Sequence, residues 1–392
     1  MKIVSINRST VNAAESVGLA HFDEAHAKRA LDFHSTFPQY QPTPLHSLDA
    51  LAQAIGLKKI FVKDESYRFG LNAFKVLGSS YAVARILSFR FGSNILSFDQ
   101  LTDGRLEPNM FTFTTTTDGN HGRGLAWTAR QLNQKAVIYM PRGTKRERFE
   151  NIAKENAEVS ITKMNYDDTV RFTREQAKLN GWTLVQDTTM DRYAIMPRLI
   201  MQGYLTMARE IFEQLSDQLS EPPTHVFLQA GVGSMAGSIA AFLTNVYGIN
   251  RPKVIIVEPY EADCIYQTAL ANDGKVHATS GRLNTMMAGL ACGEPCQLAW
   301  DLLSETADYA LVCGDQVSAR AMKLLANPLD NDDKIISGES GAVGVGVTVE
   351  LMKNADCRAL KEELGLDENS VVLCISTEGA TDRENYNRIV NN

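Results

Sequence analysis

Lys75 is the residue whose setting most suggests chemistry. It lies in the run Phe69-Gly70-Leu71-Asn72-Ala73-Phe74-Lys75-Val76-Leu77-Gly78-Ser79-Ser80. Phe74, Leu77 and Tyr81 recur at helical spacing and predict a buried face, with Lys75 beside it after a turn-like 69–72 segment. An amine held against apolar walls loses basicity, because desolvation disfavours the ammonium form. Such an amine can form a Schiff base with a carbonyl. The competing reading is a lysine whose stem packs on the helix while its head reaches water.

A second candidate is Gly231-Val232-Gly233-Ser234-Met235-Ala236-Gly237, between a strand predicted over 225–230 and a helix predicted over 239–247. Glycines let the backbone approach a phosphate, and a helix N-terminus offers free N–H donors and a positive dipole end. The spacing is GxGxxxG, one residue longer than the dinucleotide fingerprint, although Glu258 could imitate its ribose-binding acid. A packing turn is the alternative. A phosphate site together with a buried lysine suggests pyridoxal 5'-phosphate. The run Thr117-Asp118-Gly119-Asn120-His121-Gly122 follows a strand pattern and opens a helix, where N–H groups could grip a carboxylate. Thr and Asp are also good helix caps. In Val371-Val372-Leu373-Cys374-Ile375-Ser376-Thr377-Glu378-Gly379 a hydroxyl at the strand end could meet a pyridine nitrogen, or mark an ordinary strand-to-turn boundary.

The elements that must position these residues alternate. Strands are expected at 59–63, 111–116, 136–140, 158–161, 183–186, 225–230, 253–257 and 371–375, with helices between them, one of them long and amphipathic over 193–215. Residues 1 to 40 read as a polar, partly helical lead-in with a helix over 25–33, and 91–118 turns β-like. Strand–helix alternation predicts an α/β fold with parallel sheets. Residues 91–191 form a small domain inserted in a larger one made of 1–90 and 192–392.

With 392 residues, 44% hydrophobic and 22% charged, the chain can bury a sizeable core. Its net charge of −7, without a basic stripe or tail, argues against nucleic acid. No charge-free apolar run is long enough to span a bilayer, and 1–8 lacks the apolar segment of a signal peptide. A cytoplasmic location is therefore expected. The six cysteines include no CxxC, and Cys292 and Cys296 have no paired histidines downstream, so no metal site is expected and the thiols should be reduced.

Four motifs stand in the order found in the fold-type II pyridoxal-phosphate enzymes, the tryptophan synthase β-subunit and threonine dehydratase group, which the chain resembles from about residue 40 to 382. They are Thr43-Pro44-Leu45 with Lys63-Asp64-Glu65-Ser66 and Phe74-Lys75, then Gly119-Asn120-His121-Gly122, the glycine run, and the strand with Ser376. Gln202-Gly203, Val257-Glu258-Pro259 and Ala288-Gly289-Leu290-Ala291 also match. Within that group the chain is most similar to the diaminopropionate ammonia-lyases, through Asn72 to Gly78, Thr114 to Gly124, Gln186-Asp187-Thr188-Thr189-Met190-Asp191 and Ser337-Gly338-Glu339-Ser340-Gly341-Ala342.

The resemblance implies roles. Lys75 would carry the cofactor, Gly231, Val232, Gly233, Ser234, Met235 and Gly237 would hold its phosphate, and Asn120 would bond its phenolic oxygen. Ser376, or Thr377 beside it, would face the pyridine nitrogen. A neutral hydroxyl there does not stabilise a pyridinium as a carboxylate would, which suits prompt β-elimination better than transamination. Thr117, Asp118, Gly119 and His121 would frame the substrate. Related dehydratases and serine racemases carry a small or hydroxyl residue where this chain has Asp118, which points away from serine and threonine. The implied reaction is α,β-elimination of D- and L-2,3-diaminopropionate to pyruvate and two ammonia. Asp118 and Asp187 are candidates to hold the cationic β-amino group. Lys75 would serve the L-isomer as base and Asp118 the D-isomer, whereas Asp187 could instead cap the helix near Tyr193. Arg123 has no assigned role. The resemblance also implies a homodimer and brings Cys264 and Cys292 together, where a disulfide could form.

Three rival readings remain. A serine/threonine dehydratase or β-replacement enzyme would share the fold but not the need for Asp118. A nicotinamide-dependent dehydrogenase would use the glycine run and Glu258, leaving Lys75 unexplained. A non-catalytic pyridoxal-phosphate carrier would need neither Asp118 nor Asp187.

Overall fold

A computed structural model describes residues 1–6, 18–189, 194–279 and 281–392. Its strands, in chain order, are β1 (Lys2–Ser5), β2 (Leu45–Ser47), β3 (Lys59–Asp64), β4 (Thr112–Thr116), β5 (Lys135–Met140), β6 (Glu158–Ile161), β7 (Thr183–Leu184), β8 (His225–Gln229), β9 (Lys253–Pro259), β10 (Tyr309–Cys313) and β11 (Val371–Ser376). They form a seven-stranded sheet of order β1-β10-β9-β8-β11-β3-β2 and a four-stranded sheet of order β6-β5-β4-β7. Both are parallel except for the two edges of the larger sheet, where β1 and β2 pair antiparallel.

β8 and β11 are buried along their whole length. A parallel sheet with helices on both faces buries its central strands on both sides, so they read as continuous apolar runs such as Val254-Ile255-Ile256-Val257. The carboxyl ends of β3, β8 and β11 lie side by side, with Ser376 in register with Asp64. In open α/β sheets the ligand crevice forms outside those ends.

A buried ionic cluster anchors the turn that leads to Lys75. The Arg68 guanidinium donates to Glu65 and to Glu210, and Lys63 Nζ donates to Glu210 Oε2 at 2.7 Å and to the Thr43 carbonyl at 2.8 Å. Burial pushes the Glu210 carboxyl up, but Arg68 and then Lys63 outweigh it and bring it to about 2. The motif residues around Thr43 and Lys63 are thereby structural. After this turn, with Phe69 at φ +50° and Asn72 at φ +62°, Lys75 precedes the helix Val76–Arg90. Phe74, Leu77 and Tyr81 are buried, as the spacing predicts. Gly78 lets the neighbouring helix approach: a Cβ there would stand 2.6 Å from the Tyr204 ring.

Several elements differ from the sequence pattern. The helix expected over 193–215 breaks at Tyr204 into Ile195–Gly203 and Leu205–Ser216, and residue 193 lies outside the described residues. β1 was hidden in a lead-in too short to show alternation. The 91–118 stretch holds the short helix Phe98–Thr102 before β4. β7 stops at Leu184 because Gln186 turns its side chain onto β4, where Oε1 accepts from Thr116 N at 2.9 Å. The glycine run forms the first turn of the helix Ser234–Tyr247 rather than preceding it. A last helix, Arg383–Val390, capped by Asp382, has too few apolar residues to be read as periodic.

Candidate active site

The sheets meet at a cleft of about 710 Å³, lined among others by Lys75, Asp118, Asn120, Asp187, Ser234 and Thr377. Lys75 Nζ donates to Asp187 Oδ2 at 2.6 Å, and their side chains are only 19% and 5% exposed. Burial lowers the pKa of Lys75, but the Asp187 charge outweighs it and holds the amine above its ordinary value. The expectation of an amine made neutral by apolar walls is thus corrected: the walls contain its counter-ion. Burial raises Asp187 in turn, but Lys75 and then His121 hold its carboxyl well below the usual range. The alternative of Asp187 as a helix cap gives way to this ion pair.

His121 Nε2 donates to the Val185 carbonyl at 2.7 Å, which leaves Nδ1 facing Asp187 Oδ2 at 4.0 Å. Ser234 Oγ donates to the Asp187 carbonyl at 2.9 Å, so the glycine loop and the ion pair are tied together. Gly233 takes φ +91°, a left-handed conformation suited to glycine, immediately before the helix opens at Ser234. The first N–H groups of that helix have no intrahelical partner. At Gly231 a Cβ would come within 3.0 Å of Cys292 Sγ and 3.1 Å of the Gly289 carbonyl, so the loop is closed to side chains. This bare, N–H-rich cradle beside a lysine fits a phosphorylated carbonyl cofactor.

On the rim, Thr117 Oγ1 accepts from Gly119 N at 2.9 Å and from Gly122 N at 3.0 Å, and so orders the turn that opens the helix Asn120–Gln131. Asp118 points past this turn toward Arg148, whose Nη1 lies 3.4 Å from Oδ2. Burial raises the Asp118 pKa above its ordinary value, against the pull of Arg148 and Lys75. Asn120 Nδ2 donates to Glu378 Oε2 at 2.5 Å.

Three assigned residues are not brought to the cleft. Ser376 Oγ donates to Ser337 Oγ at 2.8 Å beneath the surface, while Thr377, one residue past the strand, lines the cleft and accepts from Gln229 Nε2 at 3.2 Å. Alternation along β11 turned the expected hydroxyl the wrong way. Gly237 packs against the next helix, where a Cβ would meet the Ala299 carbonyl at 3.2 Å. Gly119 lies under Arg148 rather than in the lining.

Glu258 is buried at the end of β9 and accepts from Ile265 N at 2.9 Å and Tyr266 N at 2.7 Å. It caps the helix Cys264–Ala271, and burial pushes its carboxyl up to about 8. A dehydrogenase would lack its ribose-binding acid. Arg123 donates to the Leu71 carbonyl at 3.0 Å. All six cysteines are free. Cys264 and Cys292 both face Gly231, so the two regions do meet, but as thiols. The sequence reading missed Tyr166, Gln229, Cys292 and Glu378 in the lining. Gln229 and Glu378 were within reach as polar residues at the carboxyl ends of apolar strands; Tyr166 carries no such signal.

Fold and site together describe an α/β enzyme that binds a phosphorylated carbonyl cofactor through a lysine. The chain belongs to the family described as pyridoxal-phosphate dependent enzymes, whose pattern matches residues 36–378. It is 49% identical over 371 residues to the diaminopropionate ammonia-lyase of Escherichia coli (strain K12), covering 94% of this chain and 92% of that one. The diaminopropionate ammonia-lyase of Salmonella typhimurium (strain LT2) is 47% identical over 365 residues, covering 92% and 90%. The crystal structure of the E. coli enzyme in complex with an aminoacrylate–PLP azomethine intermediate superposes with a TM-score of 0.90 at 47% identity, over 100% of this chain and 97% of that one. A threonine deaminase from Solanum lycopersicum, 20% identical with a TM-score of 0.70, shares the fold.

Proposed function

We propose that this enzyme catalyses α,β-elimination of 2,3-diaminopropionate, in which the diamine and one water become pyruvate and two ammonia. The observation that carries the reading is the presence of two acid–base groups, the Lys75–Asp187 pair and Asp118, in one cleft beside the glycine cradle. In the proposed arrangement Lys75 holds pyridoxal phosphate, Gly231 to Met235 hold its phosphate, Asn120 its phenolic oxygen, and Thr377 faces its ring nitrogen. When bound, that group supplies the carbonyl that takes the substrate amine and the electron sink that makes the Cα proton acidic.

The remaining work falls to side chains of this chain. N–H groups of the turn at 117–121 bind the substrate carboxylate at a helix start. Lys75 takes the Cα proton of the L-isomer, with Asp187 orienting its Nζ. Asp118, on the rim, takes that of the D-isomer. A carboxylate also favours a cationic β-ammonium over a neutral hydroxyl, through a charge-assisted hydrogen bond. Asp118 therefore weighs against the dehydratase reading. We also assign residues 91–191 as the small domain, around the four-stranded sheet, and 1–90 with 192–392 as the large one. The assembly proposed is a homodimer and the location cytoplasmic.

Pyruvate release from D- and L-2,3-diaminopropionate, with L-serine and L-threonine in parallel, tests the function. Turnover of both diamine isomers well above the hydroxy amino acids is expected. Faster turnover of serine or threonine would keep the family and overturn the substrate.

A further inference from the structure

We propose that Arg148 is a positioning residue that keeps Asp118 ionised and aimed into the cleft, and thereby sustains turnover of the D-isomer but not of the L-isomer. The inference rests on Asp118 serving the D-isomer. Arg148 sits on the helix Arg146–Ala153, where its neighbour Arg146 is 91% exposed but its own side chain only 6%. Arginine is seldom buried without anions to meet it. Its Nη1 reaches Asp118 Oδ2 at 3.4 Å, and its Nη2 reaches Thr381 Oγ1 at 3.5 Å, in the segment after β11. The guanidinium crosses directly over Gly119, where a Cβ would stand 3.2 Å from Nη1. That glycine is the residue between Asp118 and the helix at Asn120. The absence of a side chain there is what admits the arginine to the rim.

The surrounding charges make Arg148 decisive. Asp118 faces Lys75, Asp187, Glu378, Tyr166 and Cys292 besides Arg148. Burial, Glu378 and Asp187 all disfavour a carboxylate at Asp118. Lys75 favours it, but Lys75 is bound to Asp187 at 2.6 Å. Arg148 is the nearer unshared help, although it also faces Glu378, Glu339 and Asp382. Without it the Asp118 carboxyl would hold its proton to higher pH and could not accept one from substrate. Lys75 lies on the cleft floor and does not touch Arg148, so the L-isomer should not feel the loss.

The test compares holoenzymes of wild type, R148Q, R148K, T381V and D118N, following kcat/KM for each isomer against pH. In R148Q the acid limb for the D-isomer should move up by about 1–3 pH units, the usual effect of an adjacent arginine on an aspartate. At neutral pH that lowers D-isomer turnover about tenfold or more, with the L-isomer within about threefold. R148K should restore part of the shift. A second readout does not depend on turnover: the 13Cγ signal of Asp118, assigned by its loss in D118N, should titrate at higher pH in R148Q. If R148Q loses both isomers through misfolding, T381V, which only loosens the guanidinium, should give a smaller shift of the D-isomer limb alone. Limbs that move together, or do not move while the 13Cγ titration stays put, would overturn the role of Arg148. Equal loss of both isomers in D118N would instead remove the Asp118 reading itself. Selective loss in D118N with an unmoved R148Q limb would remove Arg148 alone.

Discussion

On the cleft floor, Lys75 and Asp187 are 2.6 Å apart and nearly sealed from water, whereas on the rim Asp118 and Arg148 are 3.4 Å apart with the carboxylate 31% exposed. The floor pair is short and further braced by Ser234 and His121. The rim pair is long, screened by solvent and shared with Thr381. A short buried pair fixes geometry and resists changes of charge. A loose half-exposed one can gain or lose a proton as conditions change. In a site that must take a proton from either face of a substrate, the floor is built for position and the rim for titration.

The largest effect should come from the floor. Lys75→Ala removes both the cofactor attachment and the floor base, and should lower pyruvate release from both isomers by about a thousandfold or more. Mass spectrometry after borohydride should find no cofactor on the peptide around position 75. Asp187→Asn should come next, at about a hundredfold on both isomers, because it leaves the Lys75 ammonium buried without its partner. It should also change acid stability in a defined sense. The Asp187 carboxyl is held below its ordinary value by Lys75, so its stabilisation is complete above about pH 5 and is lost as pH falls through the folded value. The Tm advantage of wild type over Asp187→Asn should therefore shrink on acidification, which thermal scans between pH 7 and pH 3 would reveal. The smallest effect should belong to Ser376→Ala, within about threefold, because its hydroxyl meets Ser337 rather than the cleft; Thr377→Val should exceed it in the same assay.

The legible parts of the chain were those where backbone chemistry leaves a sequence trace. Lys75 after a turn, the glycine run between strand and helix, and Asn120 at a strand end were all readable, because each depends on local sequence. The alternation of strands and helices likewise revealed the two parallel sheets. What the sequence hid was side-chain direction and distant company. Ser376 and Thr377 are one residue apart, and the pleat of β11 decides between them. The pairing of Asp187 with Lys75 spans 112 positions, and it reversed the expected effect of burial on the lysine. Arg148 sits in the charged run Arg146-Glu147-Arg148, where nothing local separates the buried arginine from the exposed one.

The most direct measurement is pyruvate release by the Asp118→Asn enzyme from D- and L-2,3-diaminopropionate, assayed side by side at neutral pH. If floor and rim divide the work, D-isomer turnover falls by about a hundredfold while L-isomer turnover stays within a few-fold of wild type. Equal loss on the two isomers would contradict the division and make Asp118 a general part of substrate binding.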